Sequence, residues 1–320
     1  AIHEKHVDGK TIIRESTVCC TNVTDSIEND LEIKRLFFSY VFANLYFCEL
    51  FNKMVKVDFG ISKFAIVGMA GYIAPRHLDA IKNSECDLVA AHDVADSVGI
   101  MDRYFPHADF TTDADKFAGI LKHGNIDYLT VCTPNYLHCR HSILGLRNGM
   151  NVICEKPLGL RSADLDAMAS RERTSNRRIY PILQLRLHPE IQRLRQYVDS
   201  TPADFTHDVE LTYITPRGKW YAASWKGDVA KSGGVVFNIG IHFLDILIWI
   251  FGDFLNAAVH HSAADSVSGV IELQKARVKF FLSVNPAHAS LKSVDGKMTP
   301  CRCLTINGVG FNFTDGFTDL

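Results

Sequence analysis

The stretch from Lys63 to Asp93 limits the possible folds of this chain more than any other. It opens with a short apolar run bounded by glycine, KFAIVG (63–68), the pattern of a strand buried on both faces of a parallel sheet. A tight turn follows at once. Gly68-Met69-Ala70-Gly71-Tyr72-Ile73-Ala74 has the length of the G-x-G-x-x-G/A fingerprint, with Ala70 where the second glycine usually lets the backbone approach a pyrophosphate. A helix is predicted from Arg76 to Asn83, and then a second apolar run, LVAAHD (88–93), ends in an acid about twenty residues beyond the turn. This order predicts a Rossmann unit that binds a dinucleotide at Gly68, Ala70, Gly71, Tyr72, Ile73 and Asp93. It also favours NAD over NADP. The Asp93 carboxylate can accept from both adenosine ribose hydroxyls and repels a 2′-phosphate, and Val94 rather than Arg follows it. The competing reading is that the glycines only shape a turn and Asp93 only caps a helix.

Further strands alternate with helices. IDYLTVCT (126–133) and NVICEK (151–156) flank a helical stretch at about 136–148, the βαβ order of a doubly wound parallel sheet. Ligands bind such sheets at the carboxyl ends of the strands, which marks Thr133, Pro134 and Asn135, and then Glu155, Lys156 and Pro157. In the second half DVELTYIT (208–215), GVIELQ (269–274) and ARVKFFLSV (276–284) read as strands without full-length crossover helices between the later ones. Antiparallel pairing is therefore predicted, in an open sheet with one face on the first domain and the other free for a second subunit. The fold class is α/β: an N-terminal Rossmann doubly wound parallel sheet plus a C-terminal α+β domain with an open, mostly antiparallel sheet. The expected boundaries are an extension over 1–61, an NAD-binding domain over 62–182, and a substrate-binding and oligomerisation domain over 183–320.

Composition removes several other classes. Over 320 residues, 34 basic and 36 acidic side chains leave a net charge of −2 with no block of either sign, so no nucleic-acid partner is implied. Nine cysteines are scattered without metal-site spacing; Cys19-Cys20 and Cys301-Arg302-Cys303 alone lie close together, which predicts a reducing cytoplasm. The most apolar stretch, LFFSYVFANLYFCELF (36–51), is shorter than the ~20 residues a membrane helix needs, so no membrane span is expected. The chain begins at Ala1 and stops at Leu320, which we read as a fragment whose natural start is Met54.

At CTPNYLH (132–138) and CEKPL (154–158), following the G-x-x-G-x-x-A turn, the chain resembles the Gfo/Idh/MocA oxidoreductase family, for which E-K-P is the best marker. QLRLHP (184–189), LTYITPRGKWYAASWKGD (211–228) and KSGGVVFNIGIHFLDILIWIFGD (231–253) are similar to one branch, the dehydrogenases of UDP-N-acetylglucosaminuronate in bacterial surface-polysaccharide synthesis. The resemblance runs from about residue 62 to the terminal GFTDL, and the family's chains continue further, so 183–320 is read as C-terminally truncated. It implies oxidation of C3 to the 3-keto sugar, tightly held NADH reoxidised in place by 2-oxoglutarate, and a homodimer or homotetramer. It also implies that Asn135 and His138 contact the nicotinamide side, and that Arg186 and His188 lie near the substrate or a neighbouring subunit.

Oxidising a secondary alcohol needs a base beside the nicotinamide. Lys156 is the first candidate. Its ordinary pKa of ~10.4 must fall by about 3, roughly 4 kcal/mol, for it to act at neutral pH. The alternative is a lysine held by Glu155 in a salt bridge. The second candidate is His242, with Asn238 and Asp245 at i−4 and i+3 on one helical face: Asp245 would fix the imidazole tautomer, and Asn238 would hydrogen-bond. A metal pair is disfavoured, since no third ligand has suitable spacing. For an anionic sugar nucleotide, Arg186, Arg217 and Lys231 can pair with carboxylate or phosphate, while Tyr213, Trp220, Tyr221 and Trp225 can cover ring faces. Two alternatives stand beside this function. One is another sugar or cyclitol dehydrogenase of the same family. The other is a non-catalytic sugar or dinucleotide sensor, which is expected to have lost Lys156 or His242.

Overall fold

The structure, a computed structural model, describes residues 61–289 and 300–312. The extension, the 36–51 stretch, Cys19-Cys20 and the terminal GFTDL lie outside the described residues.

The first sheet has six parallel strands, β1 (Lys63–Val67), β2 (Asp87–His92), β3 (Asp109–Thr111), β4 (Tyr128–Val131), β5 (Asn151–Cys154) and β6 (Ile179–Pro181), in the order β3-β2-β1-β4-β5-β6. Around it run α1 (Ala74–Asn83), α2 (Met101–Tyr104), α3 (Ala114–His123), α4 (His138–Arg147) and α5 (Ser162–Ser175). The unbroken apolar run of β1 has a direct explanation. Ala65 and Val67 enter one core with Phe117, Leu129, Leu146 and Met168, while Phe64 and Ile66 enter the core on the opposite face with Leu78, Leu88 and Met101. Strand order reverses between β1 and β4, which opens a crevice at their carboxyl ends.

The second sheet comprises β7 (His207–Ile214), β8 (Phe254–Ser262), β9 (Ser266–Leu273), β10 (Ala276–Ser283), β11 (Cys301–Ile306) and β12 (Val309–Asn312), in the order β12-β11-β7-β10-β9-β8. Most neighbours are antiparallel, but β7 and β10 run parallel, against the sequence expectation for these two strands. The cause is connectivity. After β7 the chain makes α7 (Lys219–Ala223), α8 (Val229–Ser232) and α9 (Ile241–Phe251), then returns through the β8-β9-β10 meander and enters beside β7 in the same direction. The inner face of the sheet also departs from expectation. It packs on α6 (Pro189–Asp199) and α9 rather than directly on the first domain, through Val209, Leu211, Val278 and Leu282 against Ile191, Leu194, Phe243 and Leu247. The other face alternates to exposed charge, as at Glu210 with Lys279.

Helix α9 ties the two halves together. Ile241 joins the core of the first domain, while Phe243, Leu244, Ile246 and Leu247 join that of the second. Val229–Phe251 is the one helical stretch among the described residues long and apolar enough to cross a membrane, and most of it is buried in these cores. Immediately before α9, Val236–Gly240 forms a π turn. Gly240 brings this turn close to β10: a Cβ there would stand 2.5 Å from Leu282 Cδ1, which would have to shift.

Candidate active site

The glycine turn lies where β1 ends. Gly68 has φ +89°, and a Cβ on it would meet the Cys132 carbonyl carbon and the Thr133 nitrogen at 2.6 Å, so the turn is pressed against the end of β4. The Ala70 N–H donates to Asp93 Oδ2 at 2.9 Å and the Ala95 N–H to Oδ1 at 3.0 Å. The glycines thus do shape a turn and Asp93 does organise loop amides, as the competing reading held. Two accepted bonds leave the carboxylate lone pairs for ribose hydroxyls. The start of α1 carries no acid in its first turn, so no carboxylate there would repel a pyrophosphate, while Pro75 has no N–H and the Ala74 and Arg76 N–H groups donate to the Gly71 and Ile73 carbonyls. Tyr72 is 87% exposed beside it, and Ile73 is half-buried. These residues fit NAD: the tight glycine turn would let its phosphates approach the backbone, and Asp93 would hold its adenosine ribose.

At the end of β4, Thr133 Oγ1 lies 3.1 Å from His141 Nδ1, and after Pro134 the buried Asn135 donates from Nδ2 to the Ser232 carbonyl at 2.8 Å, crossing to the second domain. His138 departs from expectation. It is buried, with Nδ1 2.6 Å from the Pro157 carbonyl and Nε2 2.8 Å from the Thr133 carbonyl, so its ring nitrogens lie against backbone. Burial pushes its pKa down, against those two carbonyls. The reason lies in the topology: His138 opens α4 beneath the two turns at the ends of β4 and β5 and fastens them together.

Glu155 and Lys156 follow β5. Glu155 is not the partner that holds Lys156; its Oε1 lies 2.9 Å from His77 Nε2 on α1, both side chains largely buried. Burial raises the Glu155 pKa, but the His77 hydrogen bond and the neighbouring cations outweigh it and hold the carboxyl low. Lys156 Nζ instead donates to the Asn238 carbonyl at 2.9 Å. Burial, reinforced by the charges of Lys226 and Arg217 and opposed by Glu155, brings the Lys156 pKa down to about 8. His242 is buried beside it, and burial with the Lys156 charge pushes its pKa far below the usual range, so the imidazole is neutral.

The continuous face of Asn238, His242 and Asp245 is corrected by the π turn, whose extra residue places Asn238 out of α-helical phase with the other two. The Asn238 side chain donates from Nδ2 to Tyr221 Oη. Asp245 does not orient His242. Its carboxylate is gripped by Arg186, Nε to Oδ2 at 2.8 Å and Nη2 to Oδ1 at 2.5 Å, so Arg186 and Asp245 satisfy each other. His188 caps α6, its Nδ1 accepting from the Glu190 N–H.

Of the remaining substrate candidates, two lie elsewhere. Tyr213 is a core residue of β7, tilted against Phe243 with 4.7 Å between ring centroids, because its strand position faces α9. Lys231 is exposed on α8 and pairs with Asp228 one turn away. Three others stay together. Trp220 and Trp225 flank Lys226, whose Nζ stands 5.6 Å and 5.5 Å from their ring centroids, and Arg217 acts electrostatically on both Lys226 and Lys156. Sequence reading missed His77 and Lys226. His77 carries no local signal, since its partner is 78 residues away. Lys226 was visible as a lysine directly after a tryptophan.

Residues 62–182 match the model described as oxidoreductase family, NAD-binding Rossmann fold, and residues 206–298 the model described as oxidoreductase family, C-terminal alpha/beta domain. The WlbA (WbpB) dehydrogenase from Thermus thermophilus, solved with NAD and alpha-ketoglutarate, superposes with a TM-score of 0.78 at 42% identity, covering 81% of this chain and 85% of that one. The same enzyme solved with NAD and UDP-GlcNAcA gives 0.76 at 41% identity, covering 80% and 84%. A putative UDP-kanosamine synthase oxidoreductase subunit from Amycolatopsis mediterranei is 30% identical over 49% of this chain and 52% of its own length. The chain thus spans about half the length of that curated relative.

Proposed function

The chain belongs to the Gfo/Idh/MocA oxidoreductase family of NAD-dependent enzymes, and on that footing we propose that it oxidises C3 of UDP-N-acetylglucosaminuronate to the 3-keto sugar, with 2-oxoglutarate as the terminal acceptor. When bound, NAD supplies the hydride acceptor. The residues of this chain do the rest. Lys156 takes the hydroxyl proton as the carbon gives up its hydride, and its pKa of about 8 leaves enough neutral amine near physiological pH. Neutral His242 orients the hydroxyl by hydrogen bonding, while the Asn238 carbonyl fixes the amine. The proton held on Lys156 then passes to the keto oxygen of 2-oxoglutarate as that carbon receives the hydride, giving the 2-hydroxy acid and restoring both enzyme groups. Asn135 and the Thr133 turn border the nicotinamide end of the crevice.

The observation that carries this reading is a buried lysine with lowered pKa at the end of β5, next to the cations Arg217 and Lys226. Likeness at 42% identity to a dehydrogenase solved with NAD and alpha-ketoglutarate, and at 41% to its complex with UDP-GlcNAcA, supports the substrate pair. The presence of both Lys156 and His242 argues against a sensor. The six free cysteines among the described residues agree with a cytoplasmic home, and exposed Leu255 on edge strand β8 agrees with a homo-oligomer formed through the second sheet.

The test is the absorbance spectrum of the purified, NAD-loaded protein. UDP-N-acetylglucosaminuronate is expected to raise the reduced-nicotinamide band, and 2-oxoglutarate to bleach it. Lys156→Met should bind both compounds yet stay silent, with hydride transfer at least ~10²-fold slower. A bleach without a preceding rise, or full activity in the variant, ends the proposal.

A further inference from the structure

Arg217 and Lys226 are positioned unlike ordinary surface cations. Among the described residues neither has a carboxylate partner within ion-pair distance. Arg217 follows β7, where its backbone N–H donates to the Val284 carbonyl at 3.0 Å, and its Nε is buried with no acceptor. Lys226 is half-buried between two indoles, Nζ 5.6 Å from the Trp220 ring and 5.5 Å from the Trp225 ring. Aromatic faces restrain an ammonium without neutralising it, whereas a carboxylate partner would cancel its charge. Lys226 and Arg217 both disfavour the charged form of Lys156, Arg217 also disfavours that of Lys226, and Glu155, the acid that opposes this at Lys156, is engaged by His77. Three unneutralised cations around one partly dry site cost free energy until an anion arrives.

We propose that Lys226 and Arg217 bind the carboxylate of the reacting compound and so select acids over neutral sugars. The inference rests on the function proposed above and names the group that this site reads. A carboxylate is the anion common to the two proposed reactants. The uronate carries it on the ring that is oxidised, 2-oxoglutarate carries it on the keto carbon, and only the first has a diphosphate. Trp220 and Trp225 hold Lys226 toward that group, and the guanidinium, with an unused buried Nε–H, supplies a directional donor.

The test is calorimetric titration of the full, NAD-loaded chain with three probes. These are glutarate, which has the carboxylates and no reducible carbon; UDP-N-acetylglucosaminuronate; and UDP-N-acetylglucosamine, which keeps the diphosphate and lacks the carboxylate. Lys226→Met, which preserves the apolar contact with both indoles, is expected to weaken glutarate and the uronate about 10- to 100-fold and the neutral nucleotide less than about twofold. Lys226→Arg should stay within about threefold of the unaltered chain, and Arg217→Gln should behave as Lys226→Met does. Equal losses for the acid and the neutral nucleotide overturn the proposal in favour of diphosphate binding, and undiminished glutarate binding in both variants overturns it outright. If the unaltered chain binds glutarate through these residues but the uronate gives no reduced cofactor, the function proposed above fails while the carboxylate site stands.

Discussion

At the scale of single residues the centre of interest is Lys156, where stability and chemistry oppose each other. A lysine with a native pKa near 8 binds fewer protons folded than unfolded between about 8 and its ordinary value. Stability contributed by this group therefore rises with pH through that window and is lowest below it. At pH 7 the burden is about 3 kcal/mol. Replacing Lys156 by Met removes that burden but leaves the Asn238 carbonyl without its donor, worth about 1 kcal/mol. Chemical denaturation at pH 7 should therefore show Lys156→Met about 2 kcal/mol more stable than the unaltered chain, with the difference shrinking toward pH 10. The same titration governs rate. Before cofactor binding lowers it further, kcat/KM for the sugar should climb as pH rises toward 8 and then level off, since only the neutral amine accepts a proton. A flat profile from pH 6 to 9 would move the role of base away from Lys156.

At the scale of elements, two contacts are expected to dominate. The β1–α1 turn needs its first glycine for protein packing before any ligand is considered. Gly68→Ala combines a positive φ with a Cβ 2.6 Å from backbone atoms that cannot swing aside. A loss of about 3 kcal/mol or more is expected by denaturant titration, accompanied by loss of NAD binding. The Arg186–Asp245 pair ties the short helical segment Gln184–Leu187 to α9, with Asp245 almost fully buried. Arg186→Met leaves that carboxylate uncompensated and should cost about 3–5 kcal/mol at neutral pH. Because burial then raises the Asp245 pKa without the guanidinium to lower it, the deficit should narrow in acid. Arg186→Met combined with Asp245→Leu should recover most of the loss, which a double-mutant cycle reads directly.

Across the molecule, the two sheets are joined through helix α9 and through hydrogen bonds that Asn135 and Lys156 make to the second domain. Ile241 is part of the first core while its neighbours in α9 build the second. Asn135 reaches Ser232, and Lys156 reaches the Asn238 carbonyl. The site is made where these meet, so neither domain holds it alone. Such coupling predicts one calorimetric unfolding transition rather than two, shifted upward as a unit by NAD, by about 2.7 kcal/mol at a hundredfold excess over Kd. Two resolved transitions, only one of them moved by NAD, would show that the domains unfold independently.

The chain's local pattern was enough to read the first domain. An apolar run bounded by glycine, a turn of fixed length and an acid one strand later specify a buried parallel strand and its cofactor loop through neighbours in sequence alone, and Lys156 was legible because strand ends are where such sheets place their chemistry. Partner choice across space was not legible. Whether Glu155 holds Lys156 or His77, whether His138 faces a ligand or two carbonyls, and whether Asp245 serves His242 or Arg186 depend on which side chains long-range packing brings within about 3 Å. The parallel register of β7 and β10 belongs to the same class, since a strand's alternation fixes its faces but not its neighbour. The charge of Lys226 was written in the sequence. The tertiary structure decides its surroundings, two indoles beside it and, among the described residues, no carboxylate within ion-pair distance.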